Sequence, residues 1–186
     1  MSEATVTLSP IELEFAWNAR GDPARPAFVA AAARTLGVEL PLAPNEVASG
    51  DEVTMLWLGP RSWLLVSTSS KRDDFDSARI ALNAAGGALF DVSASYVGWT
   101  IKGLAAGRVL NRMCPLDFYP RAFGAGRCAQ SVLGHIGALF WRPPGVPGFN
   151  VLVARSFAGD AWHALCVSVE TEGYRAPADE RGSAPR

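Results

Sequence analysis

Lysine is nearly absent from this chain: among its 17 basic residues only Lys71 and Lys102 are lysines, and the rest are arginines. Histidine is confined to His135 and His163, and cysteine to Cys114, Cys128 and Cys166. These scarcities exclude chemistry. A structural zinc site draws on about four Cys or His ligands in closely spaced pairs, and no such pair occurs here. Three irregularly spaced cysteines do not make a disulfide framework and read as reduced thiols. A net charge of −1 offers no field that would favour nucleic acid or an anionic membrane. There is no run of about eighteen uncharged apolar residues, the length that would cross a bilayer. The opening MSEATVTLSP has neither a basic segment nor an apolar one behind it, so a cytoplasmic location is expected.

What is present is an ordinary globular composition, 49% apolar and 19% charged, with six tryptophans. Tryptophan is enriched at interfaces, and six exceed what one modest core in 186 residues needs. The first half reads β-α-β-β-α-β. Ile11 to Trp17 alternates as a strand, and GDPARP turns into a helix with Pro26 in its first turn and Gly37 at its end. LPLAPNE is a loop, and VTMLWLGPRSWLLVS is a hairpin around Gly-Pro-Arg-Ser. DDFDSARIALNAA, from Asp73, has acids in its first turn and Gly86-Gly87 beyond its end. ALFDVS closes the half as a strand. In the second half VGWTIKG is a strand and AAGRVLNRM a short helix. CAQSVLGHIGALFWR is a strand, or a strand pair bent near Gly134 and Gly137. NVLVAR is another strand, and Ser156 caps a helix whose Phe157, Ala161, Leu165 and Cys166 share a face.

The expected fold class is α+β: two tandem split β-α-β (ferredoxin-like) units packed together. Residues 1–172 form one unit with pseudo-repeat halves at about 11–92 and 93–172, and 173–186 is a disordered tail.

The segment RMCPLDFYPRAFGAGRC concentrates the residues that look reactive. His135 with Cys114 or Cys128 lacks a third group to orient it, and there is no Gly-x-Ser-x-Gly elbow. GAGRCA, Gly124 to Ala129, fits a dinucleotide fingerprint in letters, but that pattern needs a strand before it and a helix after it. Here YPRAF precedes and a strand follows, so the glycines shape a turn. Asp91 and Asp117 have no second acid at a definite spacing and are expected to bond nearby backbone amides. No catalytic, cofactor-binding or metal residue is assigned, and the cysteines are read as packing residues.

Several segments, taken in order, carry a resemblance. They are Trp57 to Pro60 (WLGP), Asp91 to Ser93 (DVS), Cys114 to Asp117 (CPLD), Pro120 to Phe123 (PRAF), and Arg155 to Ala158 (RSFA) with Trp162 downstream. The chain resembles the gamma subunits of bacterial heterotetrameric sarcosine oxidases from about residue 11 to 170. It departs from them after Asp-Val-Ser, where Ala94-Ser95-Tyr96 replace a basic stretch. That leaves room for the gamma-type subunit of a related N-methyl amino acid oxidase or dehydrogenase.

The family is similar in turn to the folate-binding domain of aminomethyltransferases, whose acidic residue after a Gly-Gly strand is replaced here by Gly137, Ala138 and Leu139. The resemblance thus implies the fold and withholds the activity. It implies a noncatalytic subunit partnered by alpha, beta and delta subunits, in a complex that oxidises sarcosine to glycine and serves tetrahydrofolate-linked one-carbon metabolism. It places FAD, FMN and NAD in the partner subunits, zinc in the delta subunit, and no cofactor in this chain. A free-standing folate-binding or one-carbon-transfer protein is the alternative. In a gamma-type subunit some Trp and Arg side chains must face the partner. The turn-flanked Arg61, Trp63, Trp141 and Arg142 are the interface candidates.

Overall fold

The computed structural model describes residues 6–69 and 75–170. The expected tail at 173–186 and the expected helix start at Asp73 lie outside the described residues. The chain divides into two compact units. One is Glu12–Ala94, and the other runs from Ser95 onward and includes the chain up to Ile11.

A first strand, β1 (Thr7–Pro10), belongs to the second unit. The Glu12–Ala94 unit then carries β2 (Phe15–Arg20), α1 (Pro26–Leu36), β3 (Val47–Ser49), β4 (Val53–Gly59), β5 (Ser62–Ser67), α2 (Phe75–Ala84) and β6 (Ala88–Asp91). Its sheet is ordered β3-β4-β5-β2-β6, and every pairing is antiparallel. Leaving aside the short edge strand β3, this is the split β-α-β arrangement expected from the sequence.

α1 starts where Pro26 presets φ and ends at Gly37, whose φ of 69° is left-handed. Its buried Phe28, Ala32 and Leu36 repeat at helical spacing and face the sheet core. That core stacks Phe15 on Trp17 at 4.3 Å between ring centroids and places Phe28 5.9 Å from Trp63. β4 and β5 form the expected hairpin about Pro60 and Arg61, with a register shift between Trp57 and Gly59.

The second unit continues with β7 (Tyr96–Lys102), α3 (Ala106–Asn111), β8 (Arg127–Leu133), β9 (Ile136–Arg142), β10 (Gly148–Ala154) and α4 (Ala158–Glu170). The sheet is ordered β1-β7-β10-β9-β8, again antiparallel throughout. It realises the α+β plan by a different connection from the first unit. The link from β9 to β10 is the short turn-rich PPGVP segment, so β8, β9 and β10 form a meander and the last helix follows rather than precedes β10. Its core gathers Trp99 and Trp162, stacked at 6.1 Å, with Phe118, Phe140 and Phe149.

Two local expectations are corrected, one strand is added, and one open alternative is resolved. The strand expected over Ile11–Trp17 is Phe15–Arg20, and Ile11 instead ends the β1 pairing through its amide to the Gly98 carbonyl at 2.8 Å. β3 lies just past the Pro-rich loop, too short to show alternation. CAQSVLGHIGALFWR is two strands joined by Gly134-His135, where Gly134 (φ 65°) supplies the left-handed residue that a two-residue hairpin turn requires. α4 begins at Ala158 after a short 3₁₀ turn containing Ser156. Phe157 is exposed, and the buried face runs through Ala158, Ala161, Trp162, Leu165 and Val169.

Candidate partner interface

The segment from Arg112 to Cys128 is a surface loop anchored in the core by Cys114, Phe118, Phe123 and Cys128. Cys114 and Cys128 are buried and in no disulfide, as is Cys166 on α4. Asn111 and Asp117 fix the backbone: the Phe118 amide donates to Asn111 Oδ1 at 3.0 Å and the Tyr119 amide to Asp117 Oδ1 at 2.9 Å. Phe118, 1% exposed, sits 5.4, 5.1 and 5.2 Å from the rings of Phe123, Phe140 and Phe149. Gly126 turns the chain with φ 74°, and its amide donates to the Arg142 carbonyl at 2.9 Å. The glycines of GAGRCA therefore lead into β8, and no phosphate cradle opens a helix there.

His135 is exposed at the tip of the β8–β9 turn and His163 is exposed on α4. Among the described residues no three His, Cys, Asp or Glu side chains gather as a metal site, and no helix is long and apolar enough to cross a membrane. Asp91 accepts from the Ser93 amide at 2.9 Å and from its hydroxyl, while Ser93 Oγ accepts from the Ala16 amide at 3.0 Å. The Asp-Val-Ser motif thus ties β6 to β2 and serves the fold.

The four interface candidates fare differently. Trp63 is fully buried, and its indole N–H donates to the Pro41 carbonyl at 2.8 Å. Trp141 is 3% exposed on β9, an interior strand between β10 and β8. The expectation that these two rings stand out of the free chain is therefore corrected: Trp63 follows a turn and Trp141 precedes one, yet each lies on a strand paired on both sides. Arg142 is half-buried and faces inward. It donates to the Phe123 carbonyl at 3.1 Å, and its guanidinium carbon lies 5.5 Å from the centre of the Phe149 ring.

Arg61 alone projects outward, with its side chain 70% exposed and paired to Asp22 at 2.9 Å. It lines a hollow of about 560 Å³ with Arg20, Asp22, Arg25, Pro60 and Gly86. No sequence signal marked Arg20 or Arg25. They reach Arg61 because β2 pairs with β5, Arg20 opposite Ser62, and because GDPARP folds back on Asp22. In that turn the Ala24 amide donates to Asp22 Oδ1 at 3.1 Å and the Arg25 amide to the Asp22 carbonyl at 3.0 Å. Exposed apolar side chains that sequence reading passed over include Leu104 (88%), Ile80 (63%) and Phe90 (51%). Ile80 could have been found, since it lies off the stripe of Ala78 and Leu82 on α2.

Replacing Cys114 or Cys128 by Ser, or His135 by Gln, is expected to leave the turnover of an assembled complex within a few-fold once assembly is equalised. Loss of a positioned acid–base or nucleophilic group costs about a hundredfold or more. Steady-state kinetics on the purified complexes decides; a hundredfold loss with assembly intact would return catalysis to this chain.

Comparison with known proteins supplies the family. Residues 20–170 match the model of the sarcosine oxidase, gamma subunit family. The chain is 35% identical over 164 residues to the sarcosine oxidase subunit gamma of Corynebacterium sp. (strain U-96), covering 88% of this chain and 78% of that one. It is 38% identical over 114 residues to the subunit gamma of an Arthrobacter species, covering 61% of this chain and 56% of the other.

Among solved structures, it superposes with TM-score 0.84 and 30% identity on a chain of the heterotetrameric sarcosine oxidase from Corynebacterium sp. U-96 in complex with pyrrole 2-carboxylate, covering 96% and 90% of the two chains. The glycine cleavage system aminomethyltransferase T from Bartonella henselae shares the fold at TM-score 0.63 and 13% identity, over 88% of this chain and 46% of that one. Ordered motifs, two antiparallel sheets with their helices, and identity spread over most of the length converge on one conclusion: the chain belongs to the sarcosine oxidase gamma subunit family.

Proposed function

We propose that this chain is the gamma-type subunit of a heterotetrameric sarcosine oxidase and that it takes no part in the chemistry itself. The observation that carries this is the 35% identity over 88% of the chain to a sarcosine oxidase subunit gamma. Its potentially reactive side chains support the noncatalytic half of the reading. The cysteines are packed in core, the histidines stand apart on exposed surfaces, and Asp91 and Asp117 are spent on backbone amides. In this reading FAD, FMN and NAD reside in the alpha and beta subunits, zinc in the delta subunit, and the assembly works in the cytoplasm. Arg61 is kept as the outward-facing interface candidate, joined by the exposed apolar side chains Leu104, Ile80 and Phe90.

Co-expression with the large flavin-bearing subunits tests the proposal. The expected result is a stoichiometric complex that carries flavin absorbance and oxidises sarcosine in preference to other N-methyl amino acids with release of peroxide, while the free chain is colourless. A free chain that ignores those subunits and instead binds tetrahydrofolate would replace the subunit reading with that of a one-carbon-transfer protein. A flavin band that survives desalting of the free chain would overturn the noncatalytic assignment.

A further inference from the structure

The hollow beside Arg61 holds three guanidiniums, those of Arg20, Arg25 and Arg61, against the single carboxylate of Asp22, a net of two positive charges in a chain whose overall charge is −1. The Asp22 carboxylate is already committed, one oxygen to the Ala24 amide and the other to Arg61. Arg20 is held from below. Its Nε donates to Asn18 Oδ1 at 2.8 Å, and the amide nitrogen of Asn18, a buried side chain, donates to Ser62 Oγ at 3.1 Å and to the Trp63 carbonyl at 2.9 Å. That network engages the guanidinium through Nε, and the Arg20 side chain lines the hollow. Arg25 makes no ion pair among the described residues. It lies over Gly86, where any side-chain carbon would collide with its guanidinium.

A second feature lies beside this charge. Phe90 on the edge strand β6 is directly opposite Asn18, so its half-exposed ring shares the sheet face with the residue that orients Arg20. Arg20, two residues from Asn18 and on the same sheet face as Phe90, sets an arginine near an exposed aromatic, the composition of a protein-binding hot spot, and the fork geometry of Arg suits carboxylates. A free small anion held by solvated guanidiniums would leave Phe90 without a role. Resting on the subunit reading above, we propose that this hollow is a docking site for an acidic segment of a large partner subunit, whose carboxylates engage Arg20 and Arg25 and whose adjoining apolar side chain covers Phe90.

The test is the affinity of the full chain for its large partner subunits, measured by biolayer interferometry at several salt concentrations. Arg20→Glu and Arg25→Glu are expected to weaken association about thirtyfold or more each, and to flatten its salt dependence. Phe90→Ser is expected to weaken it with the salt dependence kept. Arg79→Glu on α2, whose residue pairs with Asp76 outside the hollow, is the control and is expected to match wild type. Thermal melting of each free variant shows that it remains folded.

Wild type binding while the Arg20 and Arg25 variants bind equally well, with an unchanged salt slope, would overturn the docking site and leave the subunit reading in place. Wild type failing to bind at all would overturn the subunit reading. Saturable binding of pyrophosphate or citrate to the assembled complex through the same arginines would mean that the hollow stays open and serves a small anion, which also overturns the proposal. So would a free chain that dimerises through Arg25 and Phe90.

Discussion

Replacing Trp63 by Ala is expected to destabilise the chain by about 3–5 kcal/mol, the range for removing a fully buried large aromatic side chain. The ring is closed in beside Phe28, and its loss opens a cavity in the Glu12–Ala94 unit that neighbouring strands can fill only in part. The Pro41 carbonyl also loses its indole donor, and a buried acceptor left unpaired adds about 1–3 kcal/mol, part of which overlaps with the cavity cost. For a chain of this size such a change lowers Tm by roughly ten degrees or more.

Trp63→Phe separates the two causes, since it refills most of the volume and still strands the carbonyl; it should fall between wild type and Trp63→Ala. Arg61→Ala, two residues away on the same hairpin, should leave Tm within about two degrees. An exposed ion pair such as Arg61–Asp22 is worth little in water. Thermal melts of the free variants settle the matter. An unchanged melt for Trp63→Ala would return that ring to the list of partner contacts.

Phe118→Ala is expected to cost about as much, roughly 3–5 kcal/mol, in the other unit. Its ring is the centre of a four-membered aromatic cluster, with edge-on contacts to Phe140 and Phe149 and a tilted one to Phe123. Such pairs contribute about 0.5–1.5 kcal/mol each beyond area buried, and not additively. The cluster joins the Arg112–Cys128 segment to β9 and β10, so the damage should appear first in that segment. Hydrogen exchange reads it directly: the Gly134 amide, bonded to the Met113 carbonyl at 2.6 Å, and the Gly126 amide, bonded to Arg142, should lose protection ahead of the strands. Chemical denaturation showing a loss below about 1 kcal/mol would mean that the segment is held by something other than its aromatic anchor.

Much of the architecture follows from local rules. Pro26 and Gly37 bound α1 because one presets φ and the other tolerates the left-handed exit. Gly-Pro-Arg-Ser between two apolar runs makes the β4–β5 hairpin, and Gly86, with φ 81°, closes the end of α2. The ordered motifs also pointed to the family before any geometry was known. Asp91 and Asp117 behaved as short polar side chains next to backbone amides usually do.

Tertiary structure decided the rest, and the reasons are specific. Whether a tryptophan beside a turn is core or surface depends on what pairs with its strand. Trp63 is enclosed by β4, β2 and a carbonyl 22 residues away, and Trp141 by β8 and β10. Periodicity sees alternation within a strand but cannot see these neighbours. The order β7-β10-β9-β8 arose because the proline-rich turn after β9 lets β10 fold straight back beside it, where the first unit interposes a helix. The positive hollow is the furthest from local reading. Arg20, Arg25 and Arg61 are ordinary surface arginines along the chain. Only strand register, an Asx turn at Asp22 and a buried Asn18 bring their like charges together, at an electrostatic cost that a partner's carboxylates would offset.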